Sequence, residues 1–248
     1  MFAHERHREI LNLMRKQRRM DVQTLAKELG ISLATLRRDL SHLDRTDQVL
    51  RVHGGVMIPD IKPGEASLRQ KAASAGKAKR RIAERVADQI PNGATVFIDS
   101  GTTCLEAGIL LRQRADLTII TNFLPLIAGY ERFEAKLIVL GGECRTVSGA
   151  LVGALAIDAL FQLRADIALI GASGLHATDG ASTTELLETS IKREWIRRAK
   201  HKFLLADASK WQQTASIRFA DWNEFTEFFT NKDPPTAFKN KRLKTTIA

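Results

Sequence analysis

Apolar residues in the first fifty positions recur at three- and four-residue steps, the spacing that places them on one face of a helix. Ile10, Leu11 and Met14 form one such stripe, with Arg8, Arg15, Arg18 and Arg19 on the outward side. Val22, Leu25, Ala26 and Leu29 form a second, and Leu33, Leu36, Leu40 and Leu43 a third. Asp21 is placed to cap the second helix, Gly30 supplies the left-handed residue that ends it, and Ser32 caps the third. Val49-Leu50-Arg51-Val52 reads as a short strand ending at Gly54-Gly55. The expected unit is a helix-turn-helix with a preceding helix and a following wing.

Met57-Ile58-Pro59-Asp60-Ile61-Lys62-Pro63-Gly64 breaks this periodicity with two prolines and a glycine. The boundary is placed there: a small domain over 1–58, a linker over 59–75 and a second domain over 76–248. The second domain is expected to open on an amphipathic helix with Ile82, Val86 and Ile90 buried. Lys71, Lys77, Lys79, Arg80, Arg81 and Arg85 then face solvent or DNA. From Pro91-Asn92-Gly93 onward, turn residues and apolar runs alternate. The pattern predicts strands over 95–98, 117–121, 136–140, 166–171 and 203–206, with helices near 103–111, 123–132, 153–163 and 184–200. Strand and helix in alternation mean an α/β domain with a mainly parallel sheet.

Apolar residues make up 44% of the 248, which excludes a disordered chain. No apolar run reaches the roughly 18 to 20 residues that span a bilayer, and the N-terminus is charged rather than signal-like, so a cytoplasmic protein with no membrane partner is expected. Cys104 and Cys144 are the only cysteines, without a C-x-x-C or a histidine cluster, so neither a disulfide framework nor a metal site is expected. Both are expected to be small buried residues. The net charge is +10, and its placement carries more than its size: residues 1–85 hold 19 Lys and Arg against 10 Asp and Glu, and residues 86–248 hold 19 against 18. The excess predicts a polyanion partner for the first part only.

In that basic part, a helix starting at Ser32 points its first N–H groups and Thr35 outward, toward DNA phosphates. Arg37 and Arg38 project away from the apolar stripe, and Arg51 and His53 sit on the wing before Gly54-Gly55. The expected DNA-contacting set is Ser32, Leu33, Ala34, Thr35, Arg37, Arg38, Arg51, His53, Gly54 and Gly55. An ordinary αα corner is the plain alternative. Thr35-Leu36-Arg37-Arg38-Asp39-Leu40 followed by Arg51-Val52-His53-Gly54-Gly55 resembles the N-terminal domain of the DeoR family of bacterial transcriptional regulators, whose pattern is T-[IL]-R-R-D-L and then R-x-H-G-G.

In the second domain, ligands of an open α/β sheet bind beyond the carboxyl ends of the strands. The residues there are small and polar: Asp99-Ser100-Gly101-Thr102-Thr103, Thr121-Asn122, Gly141-Gly142, Gly171-Ala172-Ser173-Gly174 and Asp207-Ala208-Ser209-Lys210. Glycines let N–H groups approach an oxyanion, and Thr102, Thr103 and Lys210 complete a phosphate cradle. Asp99 or Asp207 would accept from sugar hydroxyls. Each loop alone is more often an ordinary strand–helix turn; five at one end of one sheet point to a site. Neither G-x-x-x-x-G-K-[ST] nor G-x-G-x-x-G after a strand is present.

The resemblance extends here, through D-x-G-T-T, T-N, G-G, a G-x-S-G-like loop with Gly180, and D-x-S-K. Ile90-Pro91-Asn92-Gly93, Phe97-Ile98-Asp99 and Pro234-Pro235 look closest to the glycerol-3-phosphate repressor branch. The likeness implies a fold related to ribose-5-phosphate isomerase, used to sense a phosphorylated sugar or polyol. Ala154 stands where proline is usual, Asn231 where aspartate is common and Leu36 where isoleucine is usual.

The leading expectation is a non-enzymatic, cofactor-free repressor that binds double-stranded operator DNA as a homodimer or homotetramer. A phosphorylated effector, with a compound like glycerol 3-phosphate as first candidate, releases it. An isomerase-like enzyme with a DNA-binding arm is the alternative, with Asp99 or Asp207 as base and Lys210 as electrostatic stabiliser. Few aromatics in the basic part argue against single-stranded RNA.

Overall fold

Ile10, Met14, Leu25, Leu36, Leu40 and Leu43 meet in one small core with Met20, Val49 and Val56. They bring together three helices, α1 (Ala3–Gln17), α2 (Val22–Leu29) and α3 (Leu33–Arg45), with a three-stranded antiparallel sheet. Its strands are β1 (Arg19–Asp21), β2 (Leu50–Val52) and β3 (Gly55–Met57), and β3 lies in the middle. Asp21 Oδ1 accepts from the N–H groups of Gln23 and Thr24 at the start of α2, and Gly30 ends that helix at φ +62°. Ser32 Oγ accepts from the Thr35 N–H, which starts α3.

The computed structural model describes residues 2–59, 66–211, 213–238 and 243–248. The chain divides into two units, Met1–Ile61 and Lys62–Ala248. Of the stretch expected as a linker, 60–65 lies outside the described residues, while Leu68–Ala73 is a helix of the second unit, α4. Ser67 caps it reciprocally with Gln70, a local signal that the proline-rich neighbourhood hides.

The second unit continues with α5 (Gly76–Ala87), β4 (Thr95–Ile98), α6 (Thr102–Leu111), β5 (Thr118–Thr121), α7 (Leu124–Ile127) and β6 (Lys136–Val139). A hairpin follows, β7 (Glu143–Arg145) and β8 (Ala150–Val152), then α8 (Ala154–Phe161) and β9 (Ala165–Gly171). Next come β10 (Gly174–His176), β11 (Gly180–Thr183), α9 (Leu186–Arg198) and β12 (Ala199–Leu205). The described chain closes with β13 (Ile217–Ala220), β14 (Glu227–Thr230) and β15 (Lys244–Ile247). Seven strands form a parallel sheet in the order β15-β14-β12-β9-β4-β5-β6. Two cores flank it, one built around Phe97, Trp195 and Phe228, the other around Ile82, Ile98, Ile119 and Phe229. Burial on both sides explains the continuous apolar runs.

Several elements escaped the sequence pattern. β10, β11 and β13 form a small antiparallel sheet whose short segments, such as Gly-Ala-Ser-Thr in β11, carry no alternation to detect. The helix expected over 184–200 ends at Arg198, because Ala199 already pairs with Ala165 across the sheet.

Candidate DNA interface and effector cleft

The exposed side of α3 carries Arg37 and Arg38, while Leu36, Leu40 and Leu43 are buried beneath it. Ser32, Ala34 and Thr35 lie at its start, and Thr35 Oγ1 is 2.9 Å from Ser32 Oγ. Leu33 does not join the stripe: it is 38% exposed, because it opens the helix ahead of the first core turn. His53 and Gly54 form the wing tip, with Gly54 at φ +73°. Gly55 is instead buried within the sheet, where a Cβ would stand 2.8 Å from the Met20 carbonyl oxygen. Its smallness serves strand packing. Arg51 donates from Nη1 to Ser41 Oγ at 3.0 Å, and Ser41 donates to the Arg37 carbonyl at 2.7 Å, so wing and helix share one bonded surface.

Asp39 interrupts that arrangement from the inside. It is 5% exposed, and its carboxylate receives Arg6 Nε at 2.8 Å and Arg6 Nη2 at 3.1 Å, with His7 Nε2 at 3.0 Å. Burial pushes its pKa up, but the hydrogen bonds from Arg6 and His7 outweigh this and hold it below the ordinary aspartate value. The residue stands three positions after Leu36, on the apolar stripe. That misplaced charge was the available signal.

In the second unit a cleft opens beyond the carboxyl ends of β4, β9 and β12. The structure brings Ser100, Gly101, Thr102 and Thr103 to one wall, Gly171 and Ser173 to another, and Asp207 and Lys210 to a third. Gly101 at φ +137° turns the chain into α6, whose first turn has N–H groups with no partner inside the helix. Thr121, Asn122, Gly141, Gly142 and Gly174 stand outside this cleft. Thr121 Oγ1 donates to the Ile98 carbonyl at 2.8 Å, and Asn122 Nδ2 to the Leu151 carbonyl at 2.8 Å. A Cβ on Gly142 would meet the Val152 oxygen at 2.5 Å, and one on Gly174 the Gln213 oxygen at 2.0 Å. These residues hold the scaffold. Gly141 is exposed in the loop after β6.

Asp99 is not among the residues that line the cleft. It is fully buried in an ion pair with Lys192 Nζ and accepts the Gly171 N–H at 3.0 Å, both contacts at Oδ2. Lys192, 3% exposed, donates further to the Gly171 carbonyl at 3.0 Å. Burial works against its charge, yet Asp99 and Glu188 outweigh it and raise its pKa above the ordinary lysine value. Asp207 Oδ1 accepts the Ser209 N–H at 3.0 Å and so starts the turn that carries Lys210.

Four charged residues that sequence patterning missed complete the cleft: Lys71, Lys79, Glu188 and Lys192. Lys79 was expected on the solvent side of its helix but is 4% exposed, four residues before Ala83 and seven before Val86 on the buried stripe of α5. Glu188 and Lys192 share the buried face of α9 with Ile191 and Trp195, and Arg145 Nη1 donates to Glu188 Oε1 at 3.1 Å. Charges at apolar-stripe positions were again the signal. Burial raises the Cys104 thiol well above its usual pKa, whereas Cys144 is exposed on β7, against expectation. Among the described residues no helix is long and apolar enough to cross a membrane, and no group of three His, Cys, Asp or Glu is placed to hold a metal.

Residues 6–62 match the family described as DeoR-like helix-turn-helix domain, and residues 74–232 match the DeoR C terminal sensor domain. The chain belongs to the DeoR family. Similar proteins include the Glycerol-3-phosphate regulon repressor of Escherichia coli (strain K12), 31% identical over 94% of this chain and 92% of that protein. The HTH-type transcriptional repressor CsqR of the same organism is 31% identical over 95% and 90%. Ribose 5-phosphate isomerase A from Methanocaldococcus jannaschii aligns at TM-score 0.41 and 16% identity, over 56% of this chain and 55% of that one. As a DeoR-family member, the protein is a DNA-binding transcriptional regulator with a sensor domain, built as a winged helix-turn-helix unit and an α/β unit.

Proposed function

We propose that this regulator represses a sugar or polyol catabolic operon and that a phosphorylated metabolite bound in the cleft releases it from DNA. One observation carries the reading. The N-terminus of α6 and the side chains of Lys71, Lys79, Lys192 and Lys210 line a single cleft, the chemistry that a phosphate ester requires. Thr102, Thr103 and the N–H groups at Gly101 bind the phosphate, Lys210 supplies counter-charge, and Asp207 together with Ser100 and Ser173 meets hydroxyls. Glycerol 3-phosphate or a related ester is the first candidate, in keeping with the name of the Escherichia coli repressor.

Arg37 and Arg38 enter the major groove, Ser32 and Thr35 meet phosphate, and Arg51 and His53 contact the backbone beside it. A symmetric operator needs two such units, so the protein acts as a homodimer or homotetramer in the cytoplasm, where its DNA lies. It acts as a sensor and not as an enzyme, in keeping with the names of the repressors it is similar to.

The test is fluorescence anisotropy on the DNA upstream of the protein's own gene. Glycerol 3-phosphate is expected to release wild-type protein, and glycerol is not. Lys210→Ala and Thr103→Val are expected to bind the same DNA without responding. Equal action of the ester and its unphosphorylated parent would overturn the phosphate reading, as would normal induction of both variants.

A further inference from the structure

Lys79 is a buried cation whose partners are backbone carbonyls. Its Nζ donates to the carbonyl oxygens of Lys71 and Ser74, and among the described residues no carboxylate forms an ion pair with it. Those two carbonyls belong to the end of α4 and the residue after it, the segment 67–75 that forms one side of the cleft through Leu68, Lys71 and Ser74. A six-residue helix does not hold itself together in water, so this strap depends on its tethers. Its tethers to the rest of the unit include the Lys79 clasp, the Leu68 N–H donating to the Val147 carbonyl at 3.2 Å and the packing of the Leu68 side chain on the core around Ile82 and Ile98. The strap is also the first described element of the second unit in sequence after the DNA-binding unit.

Around Lys79 two carboxylates act against burial and two like charges. Burial lowers its pKa; Asp207 and Glu106 oppose this, while the like charges of Lys210 and Lys71 add to it. An ammonium donates stronger hydrogen bonds to carbonyls than a neutral amine does. An anion among Lys71, Lys79 and Lys210 on the cleft wall offsets their mutual repulsion and so strengthens the hold of the Lys79 ammonium on the strap. By linkage, a held strap in turn favours the anion.

We propose that Lys79 is a positioning residue that fastens strap 67–75 to the effector cleft, and that a phosphate-type anion bound in the cleft tightens this clasp; the inference rests on the reading of the cleft as a phosphate-ester site. Occupancy of the cleft is thereby converted into order of the segment that leads, along the chain, to the DNA-binding unit. Lys79 senses the ligand through its charge, not its shape.

Hydrogen exchange on the full-length protein tests this, with inorganic phosphate, glycerol 3-phosphate and ribose 5-phosphate as probes. In the wild type, a probe that protects amides 100–104 is expected to slow exchange across 67–75 on the order of tenfold, the worth of one charge-assisted hydrogen bond. In Lys79→Met the strap exchanges fast with or without the probe, while 100–104 is still protected at higher concentration; Lys79→Arg restores the strap's response. Protection of 100–104 with an unchanged strap overturns the clasp alone, as does a wild-type response in Lys79→Met. Failure of every probe to protect 100–104 overturns the site reading, and the clasp with it. The wild-type comparison decides the matter by itself if Lys79→Met does not fold.

Discussion

Arg6 grips Asp39 with two hydrogen bonds, Nε to Oδ2 at 2.8 Å and Nη2 to Oδ1 at 3.1 Å, and so ties α1 to the buried side of the recognition helix. The aspartate of the Arg37-Arg38-Asp39 run is therefore structural, while its two neighbours face outward. Side chains adjacent in sequence serve opposite faces of one helix.

Removing that carboxylate breaks the Arg6–Asp39 pair. Asp39→Ala is expected to destabilise the DNA-binding unit by about 3 kcal/mol, the usual scale for breaking a buried pair. Because the folded-state pKa is depressed, the stabilisation is complete above the ordinary aspartate pKa of about 3.9 and is lost as pH falls through the lower folded value. Denaturation of the isolated first unit as a function of pH checks this. An Asp39→Asn variant with an unaltered acid transition would refute it.

Arg37→Ala and Arg38→Ala are expected to weaken operator binding by about 1 to 3 kcal/mol each while leaving the melting temperature unchanged. Both side chains are exposed and lie opposite the core residues Leu36, Leu40 and Leu43. Gel shifts at matched salt measure the effect; unchanged affinity in both variants would rule out the assignment.

Gly55→Ala separates packing from DNA contact in the wing. The new methyl would stand 2.8 Å from the Met20 carbonyl oxygen, forcing β1 and β3 apart at a cost of about 1 to 3 kcal/mol. A lower melting temperature is expected even without DNA. Gly54→Ala differs in kind, since its φ of +73° strains any L side chain but its surroundings are open. An unchanged melting temperature for Gly55→Ala would show that the strands can part freely.

Lys192→Met is expected to destabilise the sensor unit by about 3 to 5 kcal/mol, because it leaves the Asp99 carboxylate buried and uncompensated. Adding Asp99→Asn should restore part of the loss, giving a coupling energy in a double-mutant cycle. Chemical denaturation without added ligand reads it. Strictly additive losses would mean that the two groups do not support each other.

Local spacing within the sequence determined the winged helix-turn-helix, the alternating α/β unit and the small polar loops at the ends of the central strands, because three- and four-residue stripes, caps and turn residues act over a few positions. It did not determine β11, whose Gly180-Ala181-Ser182-Thr183 owes its strand to partners on both sides. Tertiary structure alone decided which polar residues line the cleft and which bond to the scaffold. Thr121 and Asn122 look in sequence like Thr102 and Thr103, yet Thr121 Oγ1 and Asn122 Nδ2 donate to the carbonyls of Ile98 and Leu151 while Thr102 and Thr103 line the cleft. Asp39, Lys79 and Lys192 each sit on an apolar stripe, a visible anomaly in the sequence. Their partners come from 33, 8 and 93 residues away, and such pairings are set by how the elements pack, not by local spacing.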